Sequence, residues 1–286
     1  MPGCVGLATK ESTGLLNTTA TSIDRFLCDT LAGAPRPWPK LQAVSSTEFL
    51  ERCRHHGIAA LLFHRASSSL GWPEWPQDVQ TALEQESKAG VARDLLRGHY
   101  LKQLAERFTA EGIPCLVTKG QALAVTHYHV PGVRTRSDTD LFIRTGDISP
   151  VLNIANQLGY VLASTVYKSH QFTLLRPGDE LNSVRLDIHW RIQNAPRFAH
   201  SICFDEAFHD SIEHPDLPPV RVLFPVDALM LACMHRFGNE RHDRNRLIWI
   251  SDIHELFSDM SEAELERFGA NAVERGVQAV CRDGLE

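Results

Sequence analysis

Residues 184–190 alternate without a break: Val184, Leu186, Ile188 and Trp190 face one way, Arg185, Asp187 and His189 the other. A period of two marks a strand with one buried face. Residues 138–143 repeat it, with Asp138, Asp140 and Phe142 on one face and Thr139, Leu141 and Ile143 on the other. Residues 170–175 read as the other arm of a hairpin with 184–190, turning at Pro177-Gly178-Asp179. The short apolar run 113–118 predicts another strand, with Pro114 tolerable only because it lies near the start. Ser149 and Pro150 predict a helix start, as N-cap and first helical residue, and that helix closes before Gly159.

Helical spacing governs the rest. Phe49, Cys53, Ile58, Leu61 and Leu62 recur at roughly that period, interrupted by the turn-forming stretch 71–76. A long amphipathic helix follows, with Val91, Leu95, Leu96, Tyr100, Leu104 and Phe108 on one stripe, ending near Gly112. Beyond Pro196 the pattern turns helical again, over 227–237, 246–257 and 262–274. The expected class is α+β, a small mixed β-sheet core flanked by N- and C-terminal helical regions. The expected divisions are a flexible leader over 1–21, a helical region over 22–94, an α/β core over 95–200 and a second helical region over 201–286.

Composition narrows the functions that fit this frame. With 286 residues, 43% of them hydrophobic, the chain can bury a real core. A net charge of −6 lacks the basic surface of a protein that grips long nucleic acid, so extended nucleic-acid binding is not expected. The seven cysteines are odd in number and never spaced C-x-x-C, which argues against a disulfide framework or zinc knuckle and suits a reducing cytoplasm. The Ser/Thr-rich stretch 12–22 reads as a loose leader and not a signal peptide, and no apolar run is long enough for a bilayer. The expectation is a cytoplasmic protein without a membrane partner.

Candidate chemistry starts at Asp138-Thr139-Asp140. Residues i and i+2 of a strand project from one face, so two anions lie a few ångströms apart and repel unless a cation intervenes. A hard divalent ion, Mg²⁺ or Mn²⁺, meets that need with oxygen ligands and open positions for phosphates. A solvated turn or helix-capping pair is the plain alternative for a lone D-x-D. Against it, Leu141, Phe142 and Ile143 continue the segment as a half-buried strand, and Asp187 offers a third carboxylate on another strand. Three such acids suit a two-metal phosphoryl-transfer centre. Thr118-Lys119-Gly120-Gln121 lies at the junction of a strand with a helix starting near Gln121. A glycine there lets backbone amides approach an anion, with Lys119 as a point charge; a plain strand-to-helix turn remains the alternative.

These segments resemble a family. Lys119-Gly120-x-x-Leu123, Tyr128, Pro131-Gly132, Arg134, Asp138-x-Asp140-Leu141, Leu158-Gly159-Tyr160 and Asp187-x-His189-Trp190 are similar to the uncharacterised bacterial nucleotidyltransferases of the polymerase-β-like superfamily. Leu231-x-x-x-His235 and the run from Arg246 through Trp249 and Asp252 to Ile253 resemble that group's helical tail, so the likeness covers about 97–256. The resemblance implies Mg²⁺-assisted (or Mn²⁺-assisted) transfer of a nucleoside monophosphate from an NTP to a hydroxyl-bearing acceptor. The acceptor, whether protein, tRNA end or small molecule, is left open. It implies that Asp138, Asp140 and Asp187 hold the metals, that Asp187 helps deprotonate the acceptor, and that Gly120, its neighbours and Lys119 hold the β and γ phosphates. The wider superfamily has Gly-Ser or Gly-Gly where this chain has Gly120-Gln121; Gln121 can still donate a hydrogen bond.

Arg134 is expected to neutralise phosphate or pair with the aspartates, Arg136 less so, and His189 to touch metal, phosphate or acceptor. Arg185 reads as a residue of the site's edge, and Lys168 and His170 as weak candidates. Arg236, Arg241, Arg244 and Arg246 cluster with His235 and His242, fitting either an acidic ligand or a solvated helix end. Trp249 and Ile250 read as core, and His55, His56 and His64 have no assigned role. Three other functions compete: a D-x-D glycosyltransferase, disfavoured by the helical stretch before the motif; a nucleotide-binding module without turnover; and a toxin of a toxin–antitoxin pair.

Overall fold

The computed structural model describes residues 11–34, Trp38, and residues 44–165, 170–178, 183–214, 217–238 and 245–286. Two units make up the chain, one up to Lys88 and one from Ala89 to Glu286.

The first unit holds α1 (Glu11–Leu31), α2 (Ser46–His56), α3 (Ala59–Ala66) and the opening turns of α4 (Gln77–Ala110). Ser45 caps α2 by accepting from the Glu48 amide, and Gly57 ends it at φ 69°. Phe49, Cys53, Ile58, Leu61 and Leu62 are all buried, as their spacing predicts. The leader expected over 1–21 is helical from Glu11 onward. Serine and threonine cost only a few tenths of a kcal/mol each in a helix, and this one runs on into Ile23, Phe26 and Leu27, which are buried. His56 is buried against Asp24, a contact across 32 residues that no local spacing reveals.

The second unit is built on a seven-stranded mixed sheet. Its strands are β1 (Cys115–Thr118), β2 (Thr139–Ile143), β3 (Val161–Thr165), β4 (Gln171–Arg176), β5 (Val184–His189), β6 (Ile212–Glu213) and β7 (Arg221–Val222), in the order β3-β4-β5-β2-β1-β7-β6. The central strands β2 and β5 run parallel, while β1 is antiparallel to β2 and β4 to β5. On one face Val117, Leu141, Ile143, Leu186 and Ile188 pack with Leu101, Leu104 and Phe108 of α4 and with Val151, Ile154 and Ala155 of α6 (Ile148–Gln157). Each of these large side chains contributes roughly 1.5–3 kcal/mol by leaving water. The period of two then forces Asp140, Asp187 and His189 onto the opposite face.

Several local expectations shift. Helix α6 starts at Ile148, so Asp147 and not Ser149 holds the N-cap position, and Pro150 sits in the first turn where no amide is needed. Leu95 is 67% exposed: nine residues before buried Leu104, it falls on the far side of a helix with 3.6 residues per turn. Strands β6 and β7 have two residues each, too few for a period, and with β3 and α7 (Phe204–Asp210) they lie in stretches read as connections or helix. Helices α8 (Pro225–Gly238), α9 (Leu247–Ser258) and α10 (Glu262–Glu274) match the expected C-terminal helices, and α11 (Gln278–Leu285) follows them. Ile250 is 39% exposed and not core, because its neighbours Leu247, Ile248 and Ile253 take the inward face of α9. No helix among the described residues is long and apolar enough to cross a membrane.

Candidate active site

Register places the acids. Asp140 of β2 is the direct partner of Asp187 on parallel β5, and Thr118 at the end of β1 is the partner of Asp140 from the other side. Asp138 immediately precedes β2. Asp140 and Asp187 are each 7% exposed. Burial and then the like charges of Asp140 and Asp187 push the Asp138 carboxyl above its usual range, against the pull of Lys119 and Arg185. Asp138 therefore feels both of the other acids. Among the described residues, Asp138 has no side-chain hydrogen bond.

Lys119 answers part of that charge. Its Nζ lies 2.6 Å from Asp140 Oδ1 and 3.4 Å from His189 Nε2, and His189 Nε2 is itself 2.9 Å from the same carboxylate oxygen. Burial alone would raise the Asp140 carboxyl; the Lys119 charge and the His189 hydrogen bond hold it well below the usual range. His189 is held below its ordinary value by burial and then by the nearby Lys119 charge, against the pull of Asp140. Its Nδ1 is buried without a hydrogen-bond partner among the described residues. Asp187 accepts from Thr173 Oγ1 at 2.7 Å across the β4–β5 hairpin, and exposed Arg185 approaches it at 3.4 Å from the rim.

The donor set fits a hard divalent cation: carboxylate oxygens of like sign, crowded enough to perturb one another, beside a strand-to-helix turn. As the side chains stand, no three His, Cys, Asp or Glu groups among the described residues gather in a metal-holding arrangement. Lys119 and Thr173 take the inner oxygens of Asp140 and Asp187. The expected three-acid centre is thus a row of neighbouring acids whose positive partner in this structure is a lysine ammonium.

The Lys119-Gly120 turn differs from expectation. Helix α5 (Lys119–Thr126) begins at Lys119, and the left-handed residue is Lys119 itself, at φ 53°, not Gly120. That conformation costs a non-glycine residue roughly 1–2 kcal/mol. Gly120 is needed for room instead: a Cβ there would lie 3.0–3.1 Å from the Arg134 guanidinium. Gln121 is 2% exposed and its Oε1 accepts from Arg136 Nη2 at 2.6 Å and Nε at 3.0 Å. It braces the turn from inside, where the sequence suggested a donor to phosphate.

Arg134 is 6% exposed and does not pair with the acidic row. It grips Asp252 of α9 in a fork, Nε to Oδ1 at 2.7 Å and Nη2 to Oδ2 at 2.6 Å, while Tyr128 donates to Oδ1 at 3.0 Å. Arg136 pairs with Asp94 of α4 at 2.6 Å, and burial lowers its pKa to about 10 despite that partner. Thr173, Tyr128 and Asp252 escaped the sequence-based site. Thr173 was findable from the hairpin register opposite Asp187; Asp252, 118 residues from Arg134, was visible only as part of a resembling segment.

In the C-terminal cluster, His235 lies near enough for Lys119, Asp140, Arg134 and His189 to act on it. Arg236 bonds the Asp283 carbonyl and Asn245, and Arg246 lies over the Trp249 ring. Among the described residues His170 makes no side-chain bond to the acids, and its ring approaches Trp190. Lys168, Arg241, His242 and Arg244 lie outside the described residues.

The solution structure of the antibiotic-resistance factor ANT(2'')-Ia aligns at 13% identity over 65% of this chain and 96% of that one, with a TM-score of 0.46. The crystal structure of ANT(2'')-Ia with adenylyl-2''-tobramycin aligns at 14% identity, 63% and 98% coverage and a TM-score of 0.45. An antigenic nucleotidyltransferase-like protein from Paracoccidioides brasiliensis aligns at 16% identity, 65% and 91% coverage and a TM-score of 0.39. No curated protein matches the chain. The family model of the uncharacterised nucleotidyltransferases matches residues 42–286, and the chain belongs to that family of transferases.

Proposed function

We propose that this protein moves a nucleoside monophosphate from an NTP to a hydroxyl-bearing acceptor, with Mg²⁺ or Mn²⁺, releasing pyrophosphate. The reading rests on one observation: Asp140 and Asp187 stand side by side in the β2–β5 register, with Asp138 one residue before β2 and the Lys119-Gly120 turn at the end of β1. Family membership supports the reaction class and disfavours the glycosyltransferase.

In the reaction, the acceptor oxygen bonds the α-phosphorus as the bond to the β-phosphate bridging oxygen breaks. Asp187, fixed through Oδ1 by Thr173, takes the hydroxyl proton on Oδ2, the oxygen that Gln171 Nε2 approaches at 3.5 Å. Lys119 swings from Asp140 to the triphosphate, and amides of the first α5 turn receive phosphate oxygens. Asp138, Asp140 and Asp187 are the residues that would hold divalent ions, which when bound neutralise charge on the attacking and leaving oxygens.

A second reading, a nucleotide-binding module without turnover, draws on the 2.6 Å Lys119–Asp140 pair, which closes one carboxylate to other cations. Incubation with Mg²⁺, each labelled NTP and candidate acceptors separates the two. Pyrophosphate release with an acceptor mass gain of one nucleoside monophosphate supports transfer. Binding without release supports the module.

A further inference from the structure

We infer that Asp252 and Arg134 are positioning residues for the nucleotide, holding the Lys119-Gly120 turn in its phosphate-receiving shape from the side of the C-terminal helices. The inference rests on the proposal that this turn receives the triphosphate.

Four contacts carry it. The Arg134 guanidinium fills the space where any side chain at position 120 would begin, with Nη2, Cζ and Nη1 all 3.0–3.1 Å from that point. Such an even approach of three guanidinium atoms places the flat ion against the Gly120 backbone as a wedge. The wedge is fixed in its own plane by the fork to Asp252, by Nη1 donating to the Thr135 carbonyl at 2.6 Å, and by Tyr128 bonding the same Asp252 oxygen at 3.0 Å. Lys119, one residue before Gly120, is held at φ 53°, a conformation that persists only where surroundings over-determine it. Arg134 is the neighbour that does so at Gly120, and Asp252 is what holds Arg134.

A buried pair of this kind is weak evidence of stabilisation, since two desolvated charges offset much of their attraction. Its place beside the turn makes sense as geometry: a planar ion with two fixed bonds defines the angle of the backbone it touches, which an aliphatic side chain would not. The pair also links the site to α9, so the amides of the turn take their positions only when the C-terminal helices are docked.

Removing one partner would strand a buried charge, so the test removes both. The double variant Arg134→Met/Asp252→Leu should fold with a Tm near wild type, while its Kd for a non-hydrolysable NTP with Mg²⁺ weakens roughly 10- to 100-fold, the range expected for a misplaced contact. Its Mn²⁺ affinity without nucleotide should not fall, because the acids lie on other elements and a loosened turn only frees Asp140 from Lys119. In turnover, the same change should appear as a raised KM for NTP. Arg134→Lys, which keeps the charge and loses the plane, should behave as the double variant does. A double variant that folds and binds NTP as wild type does overturns the inference while leaving the proposed reaction intact. A wild-type protein that binds no NTP overturns both.

Discussion

Asp187 is the register partner of Asp140 across the parallel strands β5 and β2. Parallel neighbours are about 4.8 Å apart, so two carboxylates on one face at this spacing carry mutual repulsion that a cation must offset. Lys119 supplies that charge for Asp140, and Asp138 is left as the acid whose ionisation is opposed. The chemistry proposed for the site and its local instability have the same origin.

Asp138→Asn should therefore stabilise and inactivate together. Relief of repulsion predicts an unchanged or slightly raised Tm, while loss of one carboxylate from the centre should lower nucleotidyl transfer by about 10²–10⁴. Thermal melting alongside a pyrophosphate-release assay checks both halves. Normal activity in this variant, or in Asp140→Ala, refutes the assignment of the acidic row.

Lys119→Met should move two affinities in opposite directions. Freed from the ammonium, Asp140 should bind Mn²⁺ more tightly in the absence of nucleotide, by on the order of tenfold. NTP affinity should fall by a comparable factor as the phosphate partner is lost. Titration calorimetry of Mn²⁺ and of NTP reads each one; parallel changes would contradict the two-position role of Lys119.

Acid should destabilise the second unit through His235. Burial and then Lys119 lower its pKa to about 3 from an ordinary 6.5. The folded-state value is depressed, so between these limits the unfolded chain binds more protons, and stability falls as pH drops through that window. His235→Phe keeps a ring against Trp249 and removes the titration. Its Tm should change less between pH 7 and pH 4 than that of the wild type, and equal slopes would exclude His235 as the source.

Gly132→Ala should destabilise by roughly 2–4 kcal/mol. Gly132 sits at φ +78° and packs against the backbone of Gly90 and Val91, where an added Cβ has no room. Its amide also donates to Asp94 at 2.6 Å. The loop from Gly132 leads directly to Arg134, so denaturant midpoints should drop together with NTP affinity. A variant at wild-type stability would show that the loop yields more readily than its packing implies.

The strands that carry the acids were legible in the chain because burial of one sheet face imposes a period of two. Leu186 and Ile188 facing the core leave Asp187 no other side. The same logic placed Asp140 opposite Leu141, and the 3.6 period found most of the helices. Short strands such as β6 offered no period to read, and Leu95 misled because an amphipathic stripe does not say which residues a neighbour covers.

Residue type and spacing alone determined which sheet face packs on the helices and which acids share the opposite one. Tertiary structure decided who answers their charge. Lys119 on Asp140, Arg134 on Asp252 and Arg136 on Asp94 join residues 21 to 118 positions apart. An arginine in a sequence is a charge without an address. Only the docking of α9 and the turn of β1 into α5 select which carboxylate each cation reaches, because ion pairing acts over a few ångströms of space and is blind to distance along the chain.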